Sequence, residues 1–180
     1  MNKKLFNLKN FFIILLSFIL TFSYFYEILA VENTYSKEVE SFIINHFNIR
    51  NNCFFSNDTS QLIKNYDISE DDSNYSLDHE INRINYLKNW TEEHEIKLYS
   101  IKSIEKFRKI TTDNNYSKVL LDEQFIINYK YEKDSSAKLN TFTTNLFHIC
   151  ELKKVNGKWI FIKDWYLDSF ENSLKSNKFK

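Results

Sequence analysis

The residues best suited to chemistry are a histidine and an aspartate near the carboxy terminus, His148 and Asp164. An imidazole beside a carboxylate can take up and release a proton near neutral pH, as a general acid–base pair does. Between them lies Asn156-Gly157, which contains the only glycine of the chain. Whether the two side chains meet therefore depends on the turn that the chain makes there.

An Asn-Gly pair between two alternating apolar segments predicts a β-hairpin with a two-residue turn, because both turn residues need positive φ. Counting outward from this turn places His148 opposite Trp165. Asp164 then lies opposite Ile149, on the other face of the sheet. A three-residue turn with a bulge at Gly157 instead brings His148 opposite Asp164 as a dyad. We favour the two-residue turn, which argues against an active site.

The favoured turn sorts the large side chains of the sheet into two groups. Three apolar residues share one face: Leu152, Trp159 and Phe161. The candidates for lining a ligand pocket are Tyr129, His148, Trp159 and Trp165. Apolar residues of the opposite face are candidates for an interface: Phe147, Ile149, Ile160 and Ile162. An apolar second face needs covering by a second copy or by another chain.

Patterns for binding metal are weak. Residues 67–78 space carboxylates somewhat like a calcium loop, but Asp72 stands where that loop needs glycine and its twelfth position is not glutamate. His79-Glu80 and His94-Glu95 each lack the second histidine, four residues on, of a zinc protease. We therefore expect no catalytic residue, no metal and no cofactor.

The two cysteines, Cys53 and Cys150, form no CxxC pair. A zinc site built of thiolates and a thioredoxin-like centre are therefore not expected. A disulfide between the two is permitted outside the cytoplasm. Alternatively, each is a buried small apolar side chain, as unpaired cysteines usually are.

The elements that must position these residues form a helical half followed by a strand half. Apolar residues at helical spacing predict helices at 34–47 and 58–66. His46 lies on the apolar stripe of the first helix and is expected in the core. Residues 67–80 are acidic and predict a loop that leads into a longer helix, whose apolar stripe runs from Leu77 to Trp90.

The strand half predicts an antiparallel meander of about four strands. Four segments have strand composition: 95–107, 119–131, 139–155 and 158–166. In 119–131 the odd positions are apolar except for Glu123, so one face of the strand packs in the core and the other is mostly exposed to solvent. The fold class expected is therefore α+β, with the helices packed across one face of this sheet.

Length and charge support one ordinary domain. The chain has 180 residues, of which 43% are hydrophobic, which suffices for a single core. Its 24 lysines and arginines balance 24 aspartates and glutamates. Nothing in this balance indicates a nucleic-acid partner.

The amino terminus predicts export. Lysines at 3, 4 and 9 precede an uncharged apolar segment at 11–26, and Ala30 offers the small residue that a signal peptidase needs. The same residues 1–30 are also long enough for an uncleaved membrane anchor. Either interpretation predicts that the rest is secreted or lies on the outer face of the cytoplasmic membrane, with a single domain at 31–174 and a polar tail at 175–180.

The sequence also resembles a known family. Residues 83–110 and 147–174 resemble the amino-terminal region of exported amidase-domain proteins of Gram-positive bacteria, clostridia in particular. In that region a histidine-containing strand leads into a Gly-Lys-Trp hairpin and an Asp-Trp-Tyr-x-Asp segment. The matching residues here are His148, Gly157, Lys158, Trp159, Asp164, Trp165, Tyr166 and Asp168.

The resemblance, which covers roughly residues 35 to 174, implies a cone-shaped fold similar to nuclear transport factor 2, with helices on a curved antiparallel sheet. It does not imply amidase activity, because the catalytic part of the family is a separate papain-like cysteine domain and this chain ends at Lys180.

Two functions remain open. The first is an exported or cell-surface non-catalytic domain that binds a protein, a ligand or itself. Its partner would be a second copy or a cell-wall or amidase-type protein, with contact to the membrane only through the amino-terminal segment. The alternative is a small pocket enzyme of the isomerase or dehydratase kind that uses His148 and Asp164 for proton transfer.

Overall fold

The computed structural model describes residues 3–56, 58–133 and 138–167. The predicted domain end at 174, the tail at 175–180 and Asp168 lie outside them. Within the described ranges, three helices are followed by four strands, in the order α1 (Lys3–Cys53), α2 (Ser60–Ile63), α3 (Asp71–Glu93), β1 (Ile96–Thr112), β2 (Tyr116–Tyr131), β3 (Asn140–Val155) and β4 (Lys158–Tyr166). The predicted α+β class is confirmed.

The four strands form one antiparallel sheet in the order β1-β2-β3-β4, which confirms the predicted meander. Helix α1 packs on β1, and α3 packs on β4. Between helices and sheet lies a core of apolar side chains from every element, among them Ile43, Leu87, Leu121 and Phe161. The buried positions alternate along the strands, so the helices cover one face only.

The helix predicted at 34–47 is part of the much longer α1. Among the described side chains of α1, Val39, Ile43 and Phe47 are buried, which is the spacing of one helical face. The stretch at 13–26 is different, because its large apolar side chains are exposed, with Phe22 at 69%. No helical segment within the described residues meets the length and apolarity needed to cross a membrane.

The loop predicted at 67–80 is wrong beyond residue 70, because α3 begins at Asp71. Carboxylates in a first helical turn are stabilised by the helix dipole, and Asp71 and Asp72 occupy that turn. The serines that suggested a turn face the sheet instead. The Ser73 hydroxyl donates to the Phe161 carbonyl at 2.9 Å, and Ser76 lies beside Asp164. Tertiary contacts therefore outweigh the local preference for a loop.

The two-residue turn of the last hairpin is confirmed. Asn156 and Gly157 have φ of 51° and 79°, and Val155 pairs with Lys158. Both turn residues thus occupy the left-handed region that this turn needs.

The register beyond this turn differs from the prediction. Leu152 pairs with Phe161, but the preceding residue, Glu151, pairs with Lys163, so Ile162 is an extra residue in β4. One extra residue shifts everything beyond it to the other face.

Two predicted pairings are therefore wrong. His148 lies opposite Tyr166 rather than Trp165, and Asp164 lies opposite Cys150 rather than Ile149. Phe161 is held on the open side of β4 by hydrogen bonds with the backbone of 65–67. The bulge allows both Phe161 and Asp164 to face the helices.

Candidate functional site

His148 is the centre of a polar site between the helices and the sheet, and it is fully buried. Its Nδ1 lies 2.9 Å from Asp164 Oδ1, and its Nε2 lies 3.1 Å from Glu123 Oε2. A carboxylate can only accept, so with both acids ionised both ring nitrogens donate. His148 is then an imidazolium between two carboxylates.

Glu123 owes its position to the alternation of β2, which points every second side chain at the helices. It is the charged exception among the apolar residues of that face, and Arg50 from the last turn of α1 binds it. The guanidinium donates to both carboxylate oxygens, one of them at 3.1 Å. Arg50 also lies over the Phe47 ring, 4.4 Å from its centroid, in a cation–π contact.

Helix α3 adds two more charges. Glu80 accepts a hydrogen bond of 2.6 Å from the Tyr166 hydroxyl and lies 3.7 Å from Arg50. Arg83 stacks over the Phe125 ring at 4.2 Å. Together three cations and three anions form what we call the buried charge cluster, none more than 5% exposed: Arg50, Glu80, Arg83, Glu123, His148 and Asp164.

Members of the cluster shift one another's pKa values. Burial alone would lower the pKa of His148, but Asp164 and Glu123 outweigh it and raise the pKa to about 9. Burial alone would raise the pKa of Glu123, but Arg50 and His148 hold it well below the usual range. Burial alone would also raise the pKa of Asp164, but His148 lowers it. His148, Glu123 and Asp164 are thus charged at neutral pH and compensate one another.

His46 lies in the core, as predicted, but its pKa shifts in the opposite direction to that of His148. Burial and the charge of Arg50 lower the pKa of His46 to about 3. The Asn65 amide nitrogen donates to Nδ1 at 3.1 Å, so the proton sits on Nε2, 3.3 Å from the Tyr66 hydroxyl. His46 is therefore a neutral core residue that connects α1 to the segment before α3.

Both cysteines are free thiols in the described chain, so the disulfide left open by the sequence does not form. Cys150 donates to Asp164 Oδ1 at 3.3 Å, and burial followed by the Asp164 charge raises the pKa of this thiol. The ligand-type atoms of His148, Cys150 and Asp164 lie within 4.8 Å of one another.

The four predicted pocket residues do not converge. His148 joins the buried charge cluster, and Trp159 is buried beside Lys154, 5.3 Å from its ring. Tyr129 is half-buried against Trp90 at 6.1 Å, and Trp165 is 41% exposed on the opposite face. Of the four, only His148 thus joins the buried charge cluster.

The predicted interface residues lie on the face away from the helices. Phe147 is 37% exposed, and the others, Ile149, Ile160 and Ile162, are half-buried. The pairing places Leu120, Ile149 and Trp165 side by side across β2, β3 and β4. We call this row together with Phe147 the outer strip. Arg108 covers part of Phe147 at 5.0 Å.

Sequence reasoning missed Arg50, Glu80 and Arg83, because helical charges normally face solvent. The available signal was Glu123, a carboxylate at a core position that requires a buried cation.

No family model, curated protein or solved structure matches this chain.

Chemically, the site holds an acid–base pair and a neighbouring thiol, but both ring nitrogens of His148 are bound to carboxylates.

Proposed function

We propose that this chain is an exported, non-catalytic domain that self-associates through the outer strip of its sheet. The observation that carries the proposal is the apolar row Leu120–Ile149–Trp165, with Phe147 beside it, on the face opposite the helices. Exposed apolar patches of this kind mark contact surfaces, because burying them gains the hydrophobic free energy.

The charges around the outer strip favour a second copy as the partner. Lys118, Glu151 and Lys163 lie in one row across three strands, next to the apolar row. On the other side Arg108 binds Asp122 with two hydrogen bonds of 2.7 Å. A surface that carries both signs can meet its own two-fold copy with opposite charges in contact.

The buried charge cluster supports a non-catalytic interior. A reaction at His148 needs a substrate atom within hydrogen-bond reach of the imidazole. Both ring nitrogens are bound to carboxylates, and the side chain is fully buried. The cluster is suited to hold helices and sheet together.

Export and the finer fold complete the proposal. The lysines at 3, 4 and 9 and the exposed apolar side chains at 13–26 favour a segment that enters a membrane. Cleavage after Ala30 releases the domain, and retention anchors it to the outer face. Helices followed by a four-stranded meander are compatible with the cone-shaped fold of nuclear transport factor 2 and with kinship to the amidase-associated region.

Self-association is tested by the molar mass of the full-length chain in detergent, measured by light scattering. We expect two protomers for the wild type, one for Ile149→Glu, and two for the control Ile104→Glu on edge strand β1. Circular dichroism confirms that each variant is folded. A wild-type mass of one protomer would refute self-association and leave a different protein, such as a cell-wall hydrolase, as the partner. Two protomers for Ile149→Glu would assign the contact to another surface.

The second candidate, a pocket enzyme, is favoured by the contact of 2.9 Å between His148 and Asp164, which removes the objection from the predicted register. Its test is the access of small molecules to the cluster. In a Cys53→Ser background, we expect Cys150 to react with a small disulfide reagent only after unfolding. Reaction in the folded state at the rate of the unfolded state would favour the enzyme.

A further inference from the structure

We propose that His148, Cys150 and Asp164 form a zinc-binding site at the junction of β3 and β4. His148 and Cys150 are two residues apart in β3, so both face the helices, and Asp164 pairs with Cys150 on β4. The bulge at Ile162 creates this grouping, because without it Asp164 would face the other side. The site is distinct from the outer strip and does not depend on self-association.

The donor atoms suit zinc better than other common ions. Zinc accepts imidazole nitrogen, thiolate sulfur and carboxylate oxygen, whereas calcium and magnesium prefer oxygen alone. Asp164 Oδ1 lies 2.9 Å from His148 Nδ1 and 3.3 Å from Cys150 Sγ. Donors bound to one zinc ion at about 2.0–2.3 Å are themselves roughly 3–4 Å apart. A group with all its atoms within 4.8 Å therefore needs only small side-chain movements to close around an ion.

The surroundings of the three residues resemble the outer shell of a metal site. Histidine ligands commonly donate their second ring nitrogen to a carboxylate, which fixes the ring. Here Nε2 of His148 lies 3.1 Å from Glu123, which Arg50 holds in turn. Moreover, Asp164 Oδ2 is buried and has no hydrogen-bond partner among the described residues. A carboxylate oxygen without a donor is costly to bury, and a cation bound there would remove that cost.

The exchange of two protons for one zinc ion keeps the charge balanced. Without metal, the His148 imidazolium and the Cys150 thiol each carry a proton that zinc must replace. Bonds form from zinc to Nδ1, Sγ and a carboxylate oxygen of Asp164, and the N–H and S–H bonds release two protons to solvent. One divalent ion replaces two protons, so the net charge of the buried cluster is unchanged. The paired charges of Arg50 and Glu123 need not be rearranged.

The experiment uses the full-length chain, refolded in detergent with Co²⁺ as a spectroscopic substitute for zinc, and with zinc for stoichiometry. We expect about one equivalent of metal and a near-ultraviolet thiolate-to-cobalt charge-transfer band. Cys150→Ser keeps a hydroxyl that can donate to Asp164, so the fold survives while this band is lost. Cys53→Ser removes the other buried thiol and should leave the band unchanged.

Three results would overturn the site. They are a folded wild-type protein without stoichiometric metal, a band that persists in Cys150→Ser, and a band that disappears in Cys53→Ser. If Cys150→Ser fails to fold, the wild-type stoichiometry and the Cys53→Ser spectrum decide. A His148→Gln variant then provides an independent check, because loss of the imidazole should weaken metal binding at least about tenfold.

Discussion

Replacement of Arg50 by methionine should destabilise the domain far more than replacement of an exposed arginine in an equally good ion pair. Arg50 is fully buried and donates to Glu123 twice, to Ser103 at 3.0 Å and to Asn51 at 3.3 Å. Methionine retains the packing against Phe47 but removes every one of these hydrogen bonds. The Glu123 carboxylate is then left in the core with less compensation for its charge.

Breaking a buried pair by removing one partner costs about 3–5 kcal/mol. For a domain of this size, 1 kcal/mol shifts Tm by about 2–4 °C, so a fall of roughly 10 °C is expected. The matched control is Arg108→Met, which removes two hydrogen bonds of 2.7 Å to Asp122. Because the Arg108 side chain is 57% exposed, water screens this ion pair, and the change should lower the stability far less than Arg50→Met does.

The assay is chemical unfolding at neutral pH, followed by tryptophan fluorescence. The double variant Arg50→Met with Glu123→Gln removes one charge of each sign and should recover at least about 1 kcal/mol of the loss, because the remaining cluster is again neutral. The reasoning fails if Arg50→Met is no less stable than Arg108→Met. It also fails if the double variant is less stable than Arg50→Met alone.

Three further predictions concern stability. In the metal-free protein, kept so by a chelator, the raised pKa of His148, about 9, contributes stability that is complete below pH 6.5 and is lost as the pH rises through 9. The lowered pKa of His46, about 3, has the opposite effect. As the pH falls from 6.5 towards 3, His46 takes up a proton in the unfolded chain but not in the folded chain, so stability is lost. The free energy of unfolding, measured across this range, should therefore peak near pH 6.5, and His148→Gln should flatten the alkaline side. Gly157→Ala meets no atom within 4 Å but forces φ of 79° on alanine, so Tm should fall by the equivalent of about 1 kcal/mol, and an unchanged Tm would contradict the turn geometry. Ser76→Ala removes the acceptor of the Asp164 backbone N–H at 2.9 Å and should cost about 1–3 kcal/mol in urea unfolding, whereas a neutral effect would show that this bond is dispensable.

Local chemistry predicted the last turn, and tertiary packing decided what lies beyond it. Asn156-Gly157 satisfies the turn with its own backbone angles, so the sequence alone was sufficient. The bulge at Ile162 has no such marker. It allows two contacts with residues distant in sequence: Phe161 pairs with the backbone of 65–67, and Asp164 lies beside His148. A single extra residue then reversed the conclusion about the dyad.

The same distinction applies to α3. Residues 67–80 contain aspartates and serines, which prefer caps and turns when only local hydrogen bonds are considered. In the folded chain Ser73 and Ser76 find partners on the sheet. Glu123 was the visible sign of a buried charge, because a carboxylate at a core position requires a cation. Its partner, Arg50, lies 73 residues earlier and cannot be identified from spacing.

The buried charge cluster draws one or two residues from each of five elements, and Arg83 joins Glu80 on α3. Arg50 comes from α1, Glu80 from α3, and Glu123, His148 and Asp164 come from three successive strands. Apolar residues of similar volume at these positions would stabilise the core at least as well, so stability alone does not explain why six charged residues are buried there. An ion pair, unlike an apolar contact, is satisfied in only one rotation of each helix against the sheet. A metal bound beside Asp164 would strengthen this restraint on β3 and β4, since coordination requires one register between them. If the cluster sets the packing, the double variant of Arg50 and Glu123 should recover stability while broadening its amide NMR resonances, and sharp, wild-type-like spectra would instead make the cluster a matter of energy alone.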